Sequence, residues 1–148
     1  MYFQWSDRLD TGIIEIDHQH RSIADYINGL YDAKQTGDLD KVSEVLSGLV
    51  DYTQNHFSFE EQLMEEAGYS FLRAHQRVHQ LFINRIAEYR ERFSKGEDIS
   101  EELLKLLKSW LGNHIEQEDR GYLSVVSAVT NNASKKSWIS GLVNKIFN

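Results

Sequence analysis

Four residues between His56 and His79 carry donor atoms at a repeated spacing. His56 and Glu60 are four apart, and so are His75 and His79. On an α-helix, residues i and i+4 lie on one face, roughly 6 Å apart along the axis, so each pair aims two donors at one place. The intervening EEAGYS segment, residues 65–70, holds a glycine and a serine and no apolar run. It reads as a tight connection that folds two helices antiparallel and turns their donor pairs toward each other. Imidazole and carboxylate without thiolate suit iron, zinc or manganese. The chain has no cysteine, which excludes disulfides, iron–sulfur clusters and thiolate zinc sites.

The elements that must position these donors follow from apolar periodicity. Residues 1–11 read as an extended arm anchored by Tyr2, Phe3 and Trp5. A first helix is expected from about Gly12 to Lys34, with Ile13, Ile16, His20, Ile23, Ile27 and Leu30 on one stripe. His20 lies in that stripe. His18 is rotated about 200° from it, beside Ser22 and Asp25, and is expected in solvent. A second helix, Leu39 to Glu66, carries Val42, Leu46, Leu49, Thr53, His56, Glu60 and Leu63, with Gly68 as its terminator. Ser70 is expected to cap a third helix over residues 71–93, whose stripe is Phe71, His75, Val78, His79, Phe82, Ile86, Tyr89 and Phe93. Asp98 or Ser100 is expected to cap a fourth, with Leu103, Leu107, Trp110, Leu111, His114 and Ile115 inward. Asp119 fits this stripe poorly, because five residues from His114 is about 140° of rotation. Either it lies on the surface or the helix is locally wide there, as in a π-type turn. Absence of proline permits such long helices.

The expected fold is all-α: an up-down-up-down four-helix bundle with an N-terminal arm and a short C-terminal amphipathic helix. Residues 1–130 form the bundle domain and 131–148 the tail. The apolar stripes then contain His20, His56, Glu60, His75, His79 and His114, which is hard to explain as packing. A buried carboxylate is costly unless it is paired or binds a metal. This set is too large for one tetrahedral zinc and suits two ions held close together with bridging carboxylates.

At these motifs the sequence resembles the hemerythrins, most closely the single-domain bacterial ones. The resemblance covers about residues 3–126 and rests on WSDRLDTGIIEIDHQH, HFSFEEQLM, HQRVH and WLGNHIEQEDRGY. It implies a metal-ligand set of His20, His56, Glu60, His75, His79, His114 and Asp119. His75, His79 and His114 would bind one iron, and His20 and His56 the other. Glu60 and Asp119 would bridge both irons, with an oxo or hydroxo bridge between them. One iron then has six ligands and the other five, leaving a position for O2. The resemblance therefore implies reversible O2 binding, for carriage, storage or delivery, rather than catalysis. The alternatives are O2 or redox sensing, or a di-iron enzyme reducing peroxide or nitric oxide.

Charge bounds the partners. The net charge of −7 argues against nucleic acid. No run of about 18 apolar residues and no signal peptide is visible, so a cytoplasmic monomer is expected. After Asp119 come Arg120, Lys135, Lys136 and Lys145 and no acidic residue, which leaves −11 on residues 1–119. Trp138, Ile139, Leu142, Val143, Ile146 and Phe147 form one apolar face of a short helix. It is expected to dock on the bundle. The alternative is contact with a membrane surface or membrane enzyme through residues 137–147.

The assignment in the first helix has a direct check. His20→Ala should lose iron and O2 binding, while His18→Ala should keep both. Iron content and the absorption of the oxygenated protein read the difference, and a larger effect from His18→Ala would overturn the assignment.

Overall fold

Asp17 sets where the first helix begins. Its carboxylate accepts hydrogen bonds from Thr11 N (2.7 Å), Thr11 Oγ1 (2.7 Å) and Gly12 N (3.1 Å). These bonds hold the incoming chain outside the helix, and Gly12 takes a φ of 86°. In the computed structural model, which describes residues 1–132 and 135–148 and, for 117–120, the backbone alone, α1 spans Ile14–Thr36. It therefore starts two residues later than periodicity suggests.

Helix α1 ends at Gly37, whose left-handed φ of 73° lets its N–H reach Lys34 O. Asp38 then caps α2 (Leu39–Glu66), its side chain accepting from Lys41 N. Helix α2 closes with Ala67 N bonded to Leu63 O and Tyr69 N to Met64 O, around a left-handed Gly68. Helix α3 is Leu72–Ser94, preceded by Phe71 rather than capped by Ser70. Helix α4 is Ser100–Asn113, with Asp98 Oδ1 accepting from Ser100 N. A π-helical segment, His114–Asp119, follows and leads into α5, Arg120–Thr130. Last comes α6, Lys136–Phe147. No strand occurs among the described residues.

Four antiparallel rods result: α1, α2, α3, and the α4–π–α5 rod. Helix α2 packs on both α1 and α3, and α1 also packs on α4. Gly48 lets α2 approach α1 closely, since a Cβ there would sit 2.8 Å from Tyr26 Cε1. The arm lies on α1, where Asn28 exchanges two hydrogen bonds with the Phe3 backbone, at 2.7 and 2.9 Å. Phe3 is buried, and Tyr2 stacks on Tyr31 at 5.1 Å.

The core is two apolar clusters. One contains Phe3, Ile23, Leu49, Phe82, Ile86, Leu107 and Leu111. The other contains Ile16, Phe59, Leu63, Tyr122, Ile139 and Leu142. Along α1 the change of cluster falls between Ile16 and Ile23, the positions flanking His20. The histidine layer thus lies between two dry regions. The third helix departs from expectation. Its buried stripe is only His79, Phe82, Ile86 and Tyr89, and a stripe that narrow leaves Phe71 63% and Val78 40% exposed.

Helix α6 packs on α2. Ile139 and Leu142 are buried, Phe147 approaches Tyr52 at 5.2 Å, and Lys135 pairs with Glu66. Leu142→Ala should therefore cost about 2 kcal/mol, the low end for a buried leucine. Urea unfolding reads this, and an unchanged midpoint would mean that α6 does not dock in solution.

Candidate metal centre

Glu60 is the polar residue on which the layer converges. Its side chain is wholly buried. Oε1 lies 3.1 Å from His56 Nε2, 3.1 Å from His114 Nε2 and 3.6 Å from His79 Nε2. Three helices supply these imidazoles. His56 sits one turn before Glu60 on α2, His79 faces in from α3, and His114 begins the π segment. The other carboxylate oxygen, Oε2, accepts from the buried Tyr122 hydroxyl.

His20, His56, Glu60 and His114 each place a ligand atom within 4.8 Å of the others, and all four are buried. His56 Nε2 and His114 Nε2 are 3.2 Å apart. His79 stands beside this group through Glu60. His75 is farther out and half-buried, its ring 6.3 Å from His79 and 5.7 Å from Tyr122. The side chain of Asp119 lies outside the described residues. Its backbone is in the π segment, whose i→i+5 bonding is the wide turn that sequence periodicity left as one alternative. His18 is exposed, as its angular position requires.

Two residues that sequence reasoning passed over fix ring orientation. His56 Nδ1 is 2.7 Å from Gln19 Oε1, and His79 Nδ1 is 3.0 Å from Glu61 Oε2. Both partners are acceptors, so Nδ1 carries the proton and Nε2 keeps its lone pair toward Glu60. Gln19 was detectable: it lies three residues from Ile16, on the inward face. Glu61 has no comparable signal, because its half-buried flank depends on how α3 lies on α2.

Burial governs the charges here. It pushes the His20 imidazole well below its ordinary value of 6.5, and the neighbouring His56 and His114 push it the same way. Burial also lowers His56. For Glu60, burial pushes the carboxyl up, but the neighbouring His56 and His114 outweigh it and hold the group well below the ordinary carboxylate range. Burial thus favours the neutral imidazole at His20 and His56, the form that ligates metal. Glu60 Oε1 and His79 Nε2 are buried without a hydrogen bond among the described residues. Such atoms are costly unless a cation satisfies them, so the residues fit a metal centre.

The chain is similar to proteins of one family. Residues 11–126 match the hemerythrin HHE cation binding domain family. Bacteriohemerythrin of Pseudomonas aeruginosa PAO1 is 48% identical over 97% of this chain and 96% of its own length. Bacteriohemerythrin of Methylococcus capsulatus is 33% identical over 80% of this chain and 91% of its own. A crystal structure of wild-type hemerythrin superposes with a TM-score of 0.79 at 29% identity, covering 84% of this chain and 98% of that one. Bundle and site together define a non-haem di-iron, O2-binding class of protein. The chain belongs to the hemerythrin family, and within it resembles the bacterial members.

The ring-orienting contacts give a prediction. Glu61→Ala and Gln19→Leu should each weaken metal retention about 10- to 100-fold, the usual effect of removing a hydrogen bond behind a ligating imidazole. Competition with a chelator reads this. Wild-type retention in both variants would remove these residues from the site.

Proposed function

We propose that this chain binds O2 reversibly, for carriage, storage or delivery, and is not an enzyme. Residues 1–130 form the working domain. His75, His79 and His114 would hold one iron and His20 and His56 the other, with Glu60 and Asp119 shared between them. The observation that carries the assignment is the position of Glu60 Oε1, equally distant from His56 Nε2 and His114 Nε2. These imidazoles are assigned to different irons, so the contact supports Glu60 as a residue that the two ions would share. When bound, the di-iron centre supplies the two electrons, one per iron, that O2 takes up on binding and returns on release.

The chain's own residues favour reversibility by keeping the layer dry. Phe57 stacks on His79 at 3.8 Å and 3°, and Trp110 stacks on His114 at 5.0 Å and 18°. Phe82 stacks on Trp110 in turn, at 3.9 Å. These rings cover one face each of the His79 and His114 imidazoles. Tyr122 fixes the carboxylate, and Gln19 and Glu61 fix two rings, so the ligand set is ordered before metal arrives. Preorganised ligands resist the movement that would admit a second substrate.

Anaerobic reduction, O2 titration and iron quantification test this reading. Two iron ions per chain and an absorption change that reverses on O2 removal are expected. One zinc per chain would overturn the metal assignment. Continuous O2 consumption under a reductant that does not itself react with O2 would overturn the carrier assignment.

A further inference from the structure

The outer side of α3 is not used by the site. Phe71 and Leu81 are each 63% exposed and Val78 is 40% exposed. Arg73, Arg77 and Arg85 are exposed too. At about 100° per residue Arg73, Arg77, Val78, Leu81 and Arg85 fall within one arc of roughly 140° on α3, beside the buried Phe82 and shared with one acidic residue, Glu88, while Phe71 stands just before the helix. From Ala67 to Ala87 there is no acidic residue, although the whole chain carries −7. The bland account, a solvated helix face, does not explain three large apolar side chains among arginines in an otherwise acidic protein. Exposed apolar patches rimmed by charge mark interaction surfaces.

This face also has a path inward. The exposed Phe71 ring lies 5.8 Å from Tyr69, and Tyr69 lies 5.5 Å from His75. Tyr69 is also 6.1 Å from Tyr122, whose hydroxyl bonds Glu60. Aromatic rings thus connect the patch to an assigned iron ligand by two steps. A diferric centre has no electrons to give to O2, so an O2 binder that has been oxidised needs a reductant.

We propose that this face of α3 docks a small acidic one-electron carrier protein, which returns the oxidised centre to its O2-binding state through Phe71, Tyr69 and His75. The inference rests on the O2-binding reading and names a partner for the same site. Each encounter oxidises one carrier by one electron and reduces one ferric ion to ferrous, so two encounters restore the centre. The arginines attract the acidic carrier, and Phe71, Val78 and Leu81 supply a small apolar contact. Electron-transfer encounters have this character: weak, small and steered by charge.

The test uses the iron-loaded full chain in its diferric form. A reduced, acidic [2Fe–2S] ferredoxin is the probe, and stopped-flow absorbance is the readout. The charge-reversed variant R73E/R77E/R85E should be reduced at least about ten-fold more slowly than wild type at low salt, with a much weaker salt dependence. Leu81→Ser should slow reduction while keeping the salt dependence. Dithionite at high ionic strength, where surface charge is screened, should reduce all forms equally and so show that each is folded and loaded. Equal ferredoxin rates in wild type and the charge-reversed variant would overturn the proposal. Wild-type dimerisation abolished by Leu81→Asp would reassign the face to a second copy, and anionic-vesicle binding that depends on the same arginines would reassign it to a membrane. The dithionite-reduced protein separately reports O2 binding, so failure of the docking surface and failure of the O2 reading are distinguishable.

Discussion

A carboxylate buried at the centre of a helical bundle constrains everything around it. Glu60 has no water to solvate it. An isolated ionised carboxylate in such a place would be strongly disfavoured and would take a proton. Here the balance is reversed by His56 and His114, from α2 and the π segment, while His79 of α3 and the Tyr122 hydroxyl converge on the same carboxylate. Those groups must arrive together, which fixes the register of one helix against the next. A one-residue shift of α3 would turn His79 about 100° away from the layer and replace it with a neighbour unable to ligate. The polar layer therefore specifies the bundle as much as the bundle positions the layer. Its place between two apolar clusters also makes the site dry.

The ligand role proposed for Asp119 would account for the irregular backbone after His114. An α-helix cannot put residues 114 and 119 on one face, but six residues of π-helix can relate positions five apart. The distortion is local, since regular helix continues on either side, in α4 and α5. Keeping both positions in one rod avoids a loop, whose backbone polar groups would need partners inside the core. Single π segments at functional sites have this use: they re-aim one side of a helix without ending it.

Much of this was legible in the sequence because helices report burial by periodicity. His20 was separable from His18, and His56 and Glu60 from their neighbours, by angle alone. The arm, the four rods and the apolar face of α6 were readable for the same reason. What failed were features set by contacts between elements. Phe71 and Val78 sit at helical spacing with His75 and His79, yet they are exposed, because α3 buries only a narrow stripe. Helix α1 starts late because Asp17 reaches back to Thr11 and Gly12, a capping arrangement hidden among ordinary acidic residues. Glu61 meets His79 only once α3 lies against α2. Asp119 was ambiguous on spacing, and the ambiguity was physical, since it depended on the type of helix at that point.

In the proposed centre Glu60 lies between two irons held by imidazoles from four rods. Iron K-edge absorption fine structure of the loaded protein tests it most directly. Imidazole scattering is expected together with an iron–iron vector shorter than about 4 Å, and that vector should be lost in Glu60→Ala even where some iron remains bound. Isolated iron with no neighbouring metal in the wild-type protein, or an unchanged iron–iron vector in Glu60→Ala, would contradict it.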